Sequence, residues 1–305
     1  MPILWPDQQE YDKITIIPWI NEQSVLGVFP GKGKNSKPHK HINEDMIAQV
    51  KTVNNEIISM VADGHNGKDT AETLVTEFPE IIKDTLGRRN DISRDLFISL
   101  ILLNSKILSE KHLKNMFIPQ DLSASTFLTT IQKNDKLYYI SVGDSYMYLI
   151  DKEWKAQNIN EQQIYSGRRP VYIGEDPNAS FEEIIFEEMS HIEKRKHAIS
   201  EDVLRQKYHQ ICNPFENVPF DPDILKPIIH MGKYDIKDLQ DKTILLTTDG
   251  IEEERTEINI EEVIYQNHTL LKENINLFAQ KLLETFQSTE SKEESDNISL
   301  IIQKF

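Results

Sequence analysis

The sequence predicts an α+β fold in which helices pack on antiparallel sheets, and three patterns support this prediction. Short apolar runs rich in β-branched residues recur along the chain and are typical of strands. Residues 125–151 contain three such runs, separated by turn sequences at Asn134-Asp135 and Gly143-Asp144-Ser145, which indicates an antiparallel meander. Residues 91–114 and 269–286 carry apolar side chains at helical spacing, as expected of helices packed on a sheet.

Strand-like and helix-like segments follow one another from residue 14 to the end of the chain. The strand-like runs are residues 14–20, 25–29, 46–53, 57–62, 125–132, 136–142, 146–151, 152–157, 243–248 and 298–302. The helix-like segments are residues 68–86, 91–114, 192–208, 258–266 and 269–286. The two clearest apolar stripes are Leu96, Leu100, Leu103 and Ile107, and Leu271, Ile275, Phe278 and Leu282. Because we find no internal repeat and no clean linker, we expect a single domain over residues 1–305.

Three segments lack a clear pattern. Residues 1–13 are polar and predict an N-terminal extension. Residues 30–41 alternate glycine with lysine, but the spacing of a phosphate loop is absent, so we expect a solvated loop or an electropositive rim. Residues from about 175 to 237 include a possible strand at 181–186 and a proline-rich stretch. We expect them to form an enlarged flap within the domain, with either a functional role or only a packing role.

The composition sets limits on the class of protein. A chain of 305 residues can bury a sizeable core, and its single cysteine, Cys212, excludes an internal disulfide framework. The formal net charge of −16 disfavours a general binder of nucleic acids or anionic membranes. No apolar stretch reaches the roughly 18 residues that a membrane span needs, and no signal peptide is evident. We therefore expect a cytoplasmic protein with neither membrane nor nucleic acid as partner.

Acidic residues mark one end of five strand-like runs. Asp63 follows the run at residues 57–62 and is itself followed by Gly64 and His65. The others are Glu44 and Asp45 before the run at 46–53, Asp144 after 136–142, Asp249 after 243–248 and Asp296 before 298–302. A single Asp-Gly after a strand is also a common hairpin signal. If the strands share one pair of sheets, however, these carboxylates can converge at one rim, where they need cations to offset their repulsion.

The chemistry of these donors favours hard cations. All of the candidate ligands offer oxygen, which suits Mg²⁺ or Mn²⁺ better than zinc or copper. Two such cations can activate a water molecule and offset the charge of a phosphoryl group, so no protein nucleophile is required. Cys212 lies in Gln-Ile-Cys-Asn-Pro without a Cys-x5-Arg loop, which disfavours a thiolate phosphatase.

The ordered set of motifs resembles the metal-dependent protein phosphatases, the type 2C serine/threonine family. The matching segments are Asn43-Glu44-Asp45, Asp63-Gly64-His65-Asn66-Gly67, Ser125-Thr126, Gly143-Asp144-Ser145, Thr248-Asp249-Gly250 and Asp296-Asn297. The resemblance extends from about residue 25 to residue 305. It implies a four-layer α-β-β-α sandwich, with two mainly antiparallel sheets face to face and helices outside.

The resemblance also implies a role for each site residue. In the family pattern Asp63 bridges two metal ions, the Gly64 carbonyl binds the second, and Asp249 and Asp296 complete the first. The remaining metal-site residues are Glu44 and Asp45, which would hold metal-bound waters, and Asp144, which with Asp249 matches a weaker third-metal site. His65 would protonate the leaving alkoxide, although a histidine here could instead cap the following helix. Ser125, Thr126 and Asn297 are more typical of structural hydrogen bonding.

One departure concerns the substrate phosphate. Lys40 occupies the position where the family commonly has an arginine that grips this phosphate. A lysine can bind phosphate as a point charge but lacks the bidentate fork of arginine, so we expect weaker binding or a different pose.

The leading hypothesis is Mg²⁺- or Mn²⁺-dependent hydrolysis of phosphoserine and phosphothreonine in proteins. The resemblance implies a metal-bridged hydroxide that attacks phosphorus, with His65 as general acid, in a monomer whose partner is a phosphoprotein. The alternative is a catalytically weak or inactive regulatory or binding module on the same fold. A metal-dependent nuclease is a third candidate, which the acidic charge and the lack of an aromatic-basic groove pattern disfavour.

Overall fold

Two six-stranded antiparallel sheets form the centre of the molecule. The computed structural model describes residues 3–4, 14–19, 23–29, 43–87, 91–115, 123–164, 170–174, 200–213, 220–226, 228–251, 259–289 and 296–305. The first sheet has the order β1 (Ile3–Leu4), β4 (Met46–Lys51), β5 (Ile57–Ala62), β8 (Phe127–Lys133), β9 (Lys136–Val142) and β12 (His230–Asp235). The second has the order β11 (Ala156–Asn158), β10 (Tyr146–Ile150), β13 (Thr243–Thr247), β14 (Ile298–Lys304), β3 (Ser24–Phe29) and β2 (Thr15–Trp19). A small separate pair joins β6 (Gly64–His65) to β7 (Ala124–Ser125).

The central strands are buried on both faces, and their side chains alternate between two cores. In β3, Leu26 and Val28 enter the core between the sheets, whereas Val25 and Phe29 face the core on the outer side. In β5, Val61 lies between the sheets and Met60 packs toward the helices of the first sheet. This arrangement explains why these strands appear in the sequence as continuous apolar runs rather than alternating ones.

Helices cover both outer faces, which completes the four-layer α-β-β-α arrangement that the sequence predicts. The helices are α1 (Asp69–Thr85), α2 (Ile92–Asn115), α3 (Glu201–Cys212), α4 (Ile260–Gln266), α5 (His268–Glu273) and α6 (Ile275–Thr289). The predicted stripes of α2 and of the last helical segment are fully or almost fully buried. Among the described helices, none is long and apolar enough to cross a membrane.

The helix predicted at residues 269–286 is in fact two helices that meet at Asn274. The side-chain oxygen of Asn274 accepts hydrogen bonds from the backbone N–H groups of Asn276 and Leu277, both at 3.1 Å. Asparagine is a strong N-cap residue because its side chain competes with the helical backbone for such donors. The apolar stripe therefore continues across a break that the spacing alone does not reveal.

Two strands lie inside ranges that the sequence assigns to irregular segments. Ile3 and Leu4, within the 1–13 extension, pair with Ala48 and Ile47. His230–Asp235, within the 175–237 flap, pairs with β9 along its whole length, so this part of the range belongs to the sheet. Its half-polar sequence is typical of an edge strand and has no apolar run to predict it. The strand predicted at 181–186 and the loop at 30–41 lie outside the described residues.

Candidate metal centre

Carboxylates from both sheets meet at one rim of the sandwich. Asp63 follows β5, Asp144 lies in the turn between β9 and β10, and Asp249 follows β13. One carboxylate oxygen from each of these residues lies within 4.8 Å of the other two. The fold thus gathers carboxylates that are far apart in the sequence, as the strand-end pattern predicts.

Three carboxylates at this rim, those of Asp45, Asp63 and Asp144, lie where ionisation is unfavourable. Burial raises the pKa of Asp63 well above its usual value, and the charges of Asp249, Asp45, Asp296 and Asp144 raise it further. Burial, with a contribution from the charge of Asp296, raises the pKa of Asp45 to about 7. Burial also raises the pKa of Asp144 to about 6, again with a contribution from Asp296. Five aspartates therefore interact at this rim, and a bound cation would offset their repulsion.

Hydrogen bonds from Ser125 and Thr126 hold the backbone of Asp63. The Ser125 hydroxyl donates to the Asp63 carbonyl at 2.8 Å, and the Thr126 N–H donates to the same oxygen at 3.0 Å. The Asp63 N–H in turn donates to the Thr126 hydroxyl at 3.2 Å. Both residues thus have the structural role that their residue types favour.

A second set of hydrogen bonds ties the Glu44-Asp45 segment to the other sheet. The Thr248 hydroxyl donates to Oδ2 of Asp45 at 2.9 Å, and the Glu44 N–H donates to Oδ1 of Asn297 at 3.2 Å. The side-chain oxygen of Asn43 accepts from the Asp45 N–H at 2.9 Å. Asn297 therefore joins segments that are distant in the sequence, a role that its local sequence does not indicate.

At each of the two Asp-Gly pairs the glycine allows another backbone segment to lie close to it, and neither pair forms a hairpin. A Cβ atom placed on Gly64 would lie 2.2 Å from the Glu44 carbonyl oxygen. A Cβ atom on Gly250 would lie 2.3 Å from the Asn297 carbonyl oxygen. After Asp63 the chain continues into β6, and after β13 it enters a 3-10 turn at Asp249–Ile251. The hairpin interpretation is therefore wrong at both positions.

His65 stands at the edge of this centre, beside an aromatic residue that the sequence analysis missed. Its ring stacks on the ring of Tyr172, with centroids 5.1 Å apart and an interplanar angle of 13°. The N-cap position of the following helix, α1, is occupied by Lys68. Tyr172 comes close to His65 through the pairing of both its neighbours, Ile173 with Ser125 and Val171 with Gln163. Lys40 lies outside the described residues.

Comparison with known proteins identifies the family. The sequence model described as Protein phosphatase 2C matches residues 33–298, which is most of the chain. The chain belongs to the protein phosphatase 2C family. No curated protein sequence matches this family member.

Solved structures of bacterial phosphatases share the fold of this 2C-family chain. The S. agalactiae serine/threonine phosphatase is 12% identical, with a TM-score of 0.55 over 96% of this chain and all of that one. The Mycobacterium tuberculosis phosphatase PstP/Ppp is 13% identical, with a TM-score of 0.54 over 92% of this chain and 98% of that one. A PstP catalytic domain in complex with two manganese ions is 13% identical, with a TM-score of 0.53 over 96% of this chain and 99% of that one. At these identities the likeness concerns the fold alone.

The donor set of this 2C-family site fits hard divalent cations. Asp63, Asp144 and Asp249 offer only oxygen, and Mg²⁺ and Mn²⁺ prefer such ligands. The buried Oδ1 of Asp144 has no hydrogen-bond partner within the described part of the chain. Because an orphaned carboxylate oxygen is costly to bury, a cation is the ligand that its chemistry favours.

Proposed function

We propose that this chain is a Mg²⁺- or Mn²⁺-dependent phosphatase that hydrolyses phosphoserine and phosphothreonine in proteins. The observation that carries the proposal is the meeting of Asp63, Asp144 and Asp249 within 4.8 Å, in a chain of the protein phosphatase 2C family. The PstP relative crystallised with two manganese ions supports the choice of cation.

The metal ligands in this proposal come from five segments of the chain. The residues that would hold the cations are Asp63, Gly64 through its carbonyl, Asp249 and Asp296, with Glu44, Asp45 and Asp144 as further ligands. When bound, two divalent cations would lower the pKa of a water molecule and offset the charge of the phosphoryl group. The approach of Asp63, Asp144 and Asp249 to within 4.8 Å of one another supports a site in which they hold bound cations together.

His65 serves as general acid in this proposal. As the oxygen of water forms a bond to phosphorus, the bond from phosphorus to the serine or threonine oxygen breaks. His65 donates a proton to that leaving oxygen, which becomes the hydroxyl of the dephosphorylated protein, while the other product is inorganic phosphate. An imidazole suits this role because its ordinary pKa lies near neutrality.

Lys40 completes the proposed site as a positive charge for the phosphate of the substrate. On a chain with a formal charge of −16, an anionic phosphoprotein needs a local attraction. Lysine provides this attraction as a point charge, without the paired hydrogen bonds that arginine makes.

The direct test is turnover of two substrates by the purified full chain. With millimolar Mn²⁺ we expect hydrolysis of p-nitrophenyl phosphate and of a phosphothreonine peptide, and we expect chelation with EDTA to abolish both reactions. Calorimetric titration with Mn²⁺ in parallel separates the alternatives. Metal binding without turnover of either substrate would contradict the proposal and favour a binding module.

A further inference from the structure

Tyr172 lies against the ring of His65 and is itself almost completely buried. The two rings are nearly parallel, at 13°, with their centroids 5.1 Å apart. Tyr172 is 8% exposed, whereas His65 is partly exposed. One face of the imidazole is therefore covered by a ring that the surrounding structure holds in place.

The short strand β7 connects the two rings. On one side it pairs with β6, so that His65 lies opposite Ala124. On its other side Ser125 exchanges two backbone hydrogen bonds with Ile173, at 2.8 and 3.1 Å. Because side chains alternate between the two faces of paired strands, His65 and Tyr172 lie on the same face.

Helix α2 anchors the segment that carries Tyr172. The N–H of Gly174 donates to Oδ1 of Asn104 at 3.0 Å. The buried Nζ of Lys111 donates to the Gly174 carbonyl at 2.8 Å and also to the carbonyl of Ser123. Tyr172 is thus held by backbone pairing through Ile173 and by two side chains of α2 through Gly174.

We propose that Tyr172 is a positioning residue that orients the imidazole of His65 toward the leaving oxygen of the substrate. This inference rests on the proposed function, in which His65 donates the proton. The stack limits rotation of the imidazole about its Cβ–Cγ bond, since other orientations of the imidazole would collide with Tyr172 or lose the ring contact. A proton donor held in one orientation loses less freedom when the transition state forms.

The effect of losing the stack on kcat depends on the leaving group of the substrate. An alkoxide from phosphothreonine needs a proton as it departs, whereas p-nitrophenolate is stable without one. Loss of the stack should therefore lower kcat for a phosphothreonine peptide more than kcat for p-nitrophenyl phosphate. From the strength of one aromatic pair, we expect the ratio of the two kcat values to fall about 3- to 10-fold.

The test compares variants of the full chain in millimolar Mn²⁺. Tyr172→Leu removes the ring but keeps an apolar side chain, and Tyr172→Ala serves as a second, smaller replacement. Tyr172→Phe keeps the ring and removes the hydroxyl, so we expect it to retain the natural ratio. Tyr138→Leu is the matched control, because Tyr138 is also 8% exposed but packs in the core between the first sheet and its helices. We expect Tyr138→Leu to leave the ratio unchanged even if it lowers thermal stability.

A double-mutant cycle makes the test specific to His65. In a His65→Ala background, Tyr172→Leu should cause no further fall in the ratio, because the group that it positions is absent. An equal loss for both substrates, or the same fall in the His65→Ala background, would overturn the inference. A Phe variant as impaired as the Leu variant would also overturn it, since the hydroxyl would then be the active group. Inactivity of the natural chain toward both substrates would instead refute the proposed function itself.

Discussion

At the scale of single residues, the carboxylates of the metal centre lie where their own charge is unfavourable. Burial is the largest contribution to the raised pKa values of Asp63, Asp45 and Asp144, and mutual repulsion adds to it. A fold selected for stability alone would not bury these groups together. Such an arrangement is expected of a site that binds cations, because functional sites often retain groups that cost stability.

Asp63→Asn should separate stability from activity. We expect turnover to fall by more than about 100-fold, because the central ligand loses its charge. In the metal-free state at pH 7.5, the same variant should melt at a higher temperature than the natural chain, because a repelling buried carboxylate is removed. Activity assays and thermal denaturation in EDTA check the two effects. Asp84→Asn, an exposed change on α1, should leave both unchanged.

Gly64→Ala should damage the site without changing any charge. The added Cβ would lie 2.2 Å from the Glu44 carbonyl oxygen, so the backbones that carry Asp63 and Glu44 must separate. We expect destabilisation of about 1–3 kcal/mol and weaker Mn²⁺ binding. Urea denaturation and calorimetry measure these quantities. Mn²⁺ affinity equal to that of the natural chain would show that the close approach is unimportant for the ligands.

At the scale of elements, hydrogen bonds connect the candidate metal centre to a helix that supplies none of its proposed ligands. α2 holds the segment around Gly174 through Asn104 and Lys111, and that segment pairs with Ser125. Ser125 in turn bonds the carbonyl of Asp63. A continuous set of hydrogen bonds thus connects the outer helix layer to the rim of the sheets.

Lys111→Met tests this connection. The change keeps most of the apolar volume but removes the Lys111 donor from two buried carbonyls, of which that of Ser123 keeps a hydrogen bond from the Thr70 hydroxyl. This loss should reduce the free energy of unfolding by about 1–3 kcal/mol. Chemical denaturation gives the value directly. Lys106→Met on the same helix is the control, because within the described part of the chain Lys106 makes surface ion pairs with Glu77 and Glu110, and its loss should change stability by less than about 0.5 kcal/mol. Equal effects of the two changes would contradict the anchoring role.

At the scale of the whole molecule, stability should depend on pH and metal together. The folded-state pKa values of Asp45, about 7, and Asp144, about 6, lie above the value of an unfolded aspartate. At a pH between the unfolded-state pKa and the folded-state pKa of each group, the native state binds more protons than the unfolded state does. The free energy of unfolding contributed by these groups is therefore fully present at low pH and is lost as pH rises through the folded-state values.

We expect the metal-free chain to lose thermal stability between about pH 4 and pH 7, the range from the ordinary aspartate pKa to the folded-state pKa of Asp45, by a total of roughly 1.4 kcal/mol per unit of pKa shift in each group. Saturating Mn²⁺ should abolish this decline, because bound cations favour the ionised carboxylates. Melting temperatures measured across this range, with EDTA and with Mn²⁺, test the expectation. Asp45→Asn should reduce the slope in EDTA, and a slope identical to that of the natural chain would exclude Asp45 as a source.

Several features of the fold and the site were predictable because they leave a local pattern. β-branched runs and apolar stripes predicted most of the described strands and helices, since burial requires those residues at those spacings, but they did not predict the two-residue strands Ile3–Leu4 and Gly64–His65. The break at Asn274 and the edge strand His230–Asp235 escaped prediction. The first depends on a side-chain bond to nearby N–H groups, and the second depends on its pairing with β9 rather than on its own residues.

By itself, the sequence determined the α+β class, the acidic residue types at strand ends and the chemistry that they can support, and its resemblance to the family implied the four-layer arrangement. Only the tertiary structure decided that Asp63, Asp144 and Asp249 share one site and that Tyr172 covers His65. The physical reason is that periodicity reports which side chains are buried within one element. The distance between elements depends instead on sheet pairing and on contacts such as Thr248 with Asp45, which join residues far apart in the chain.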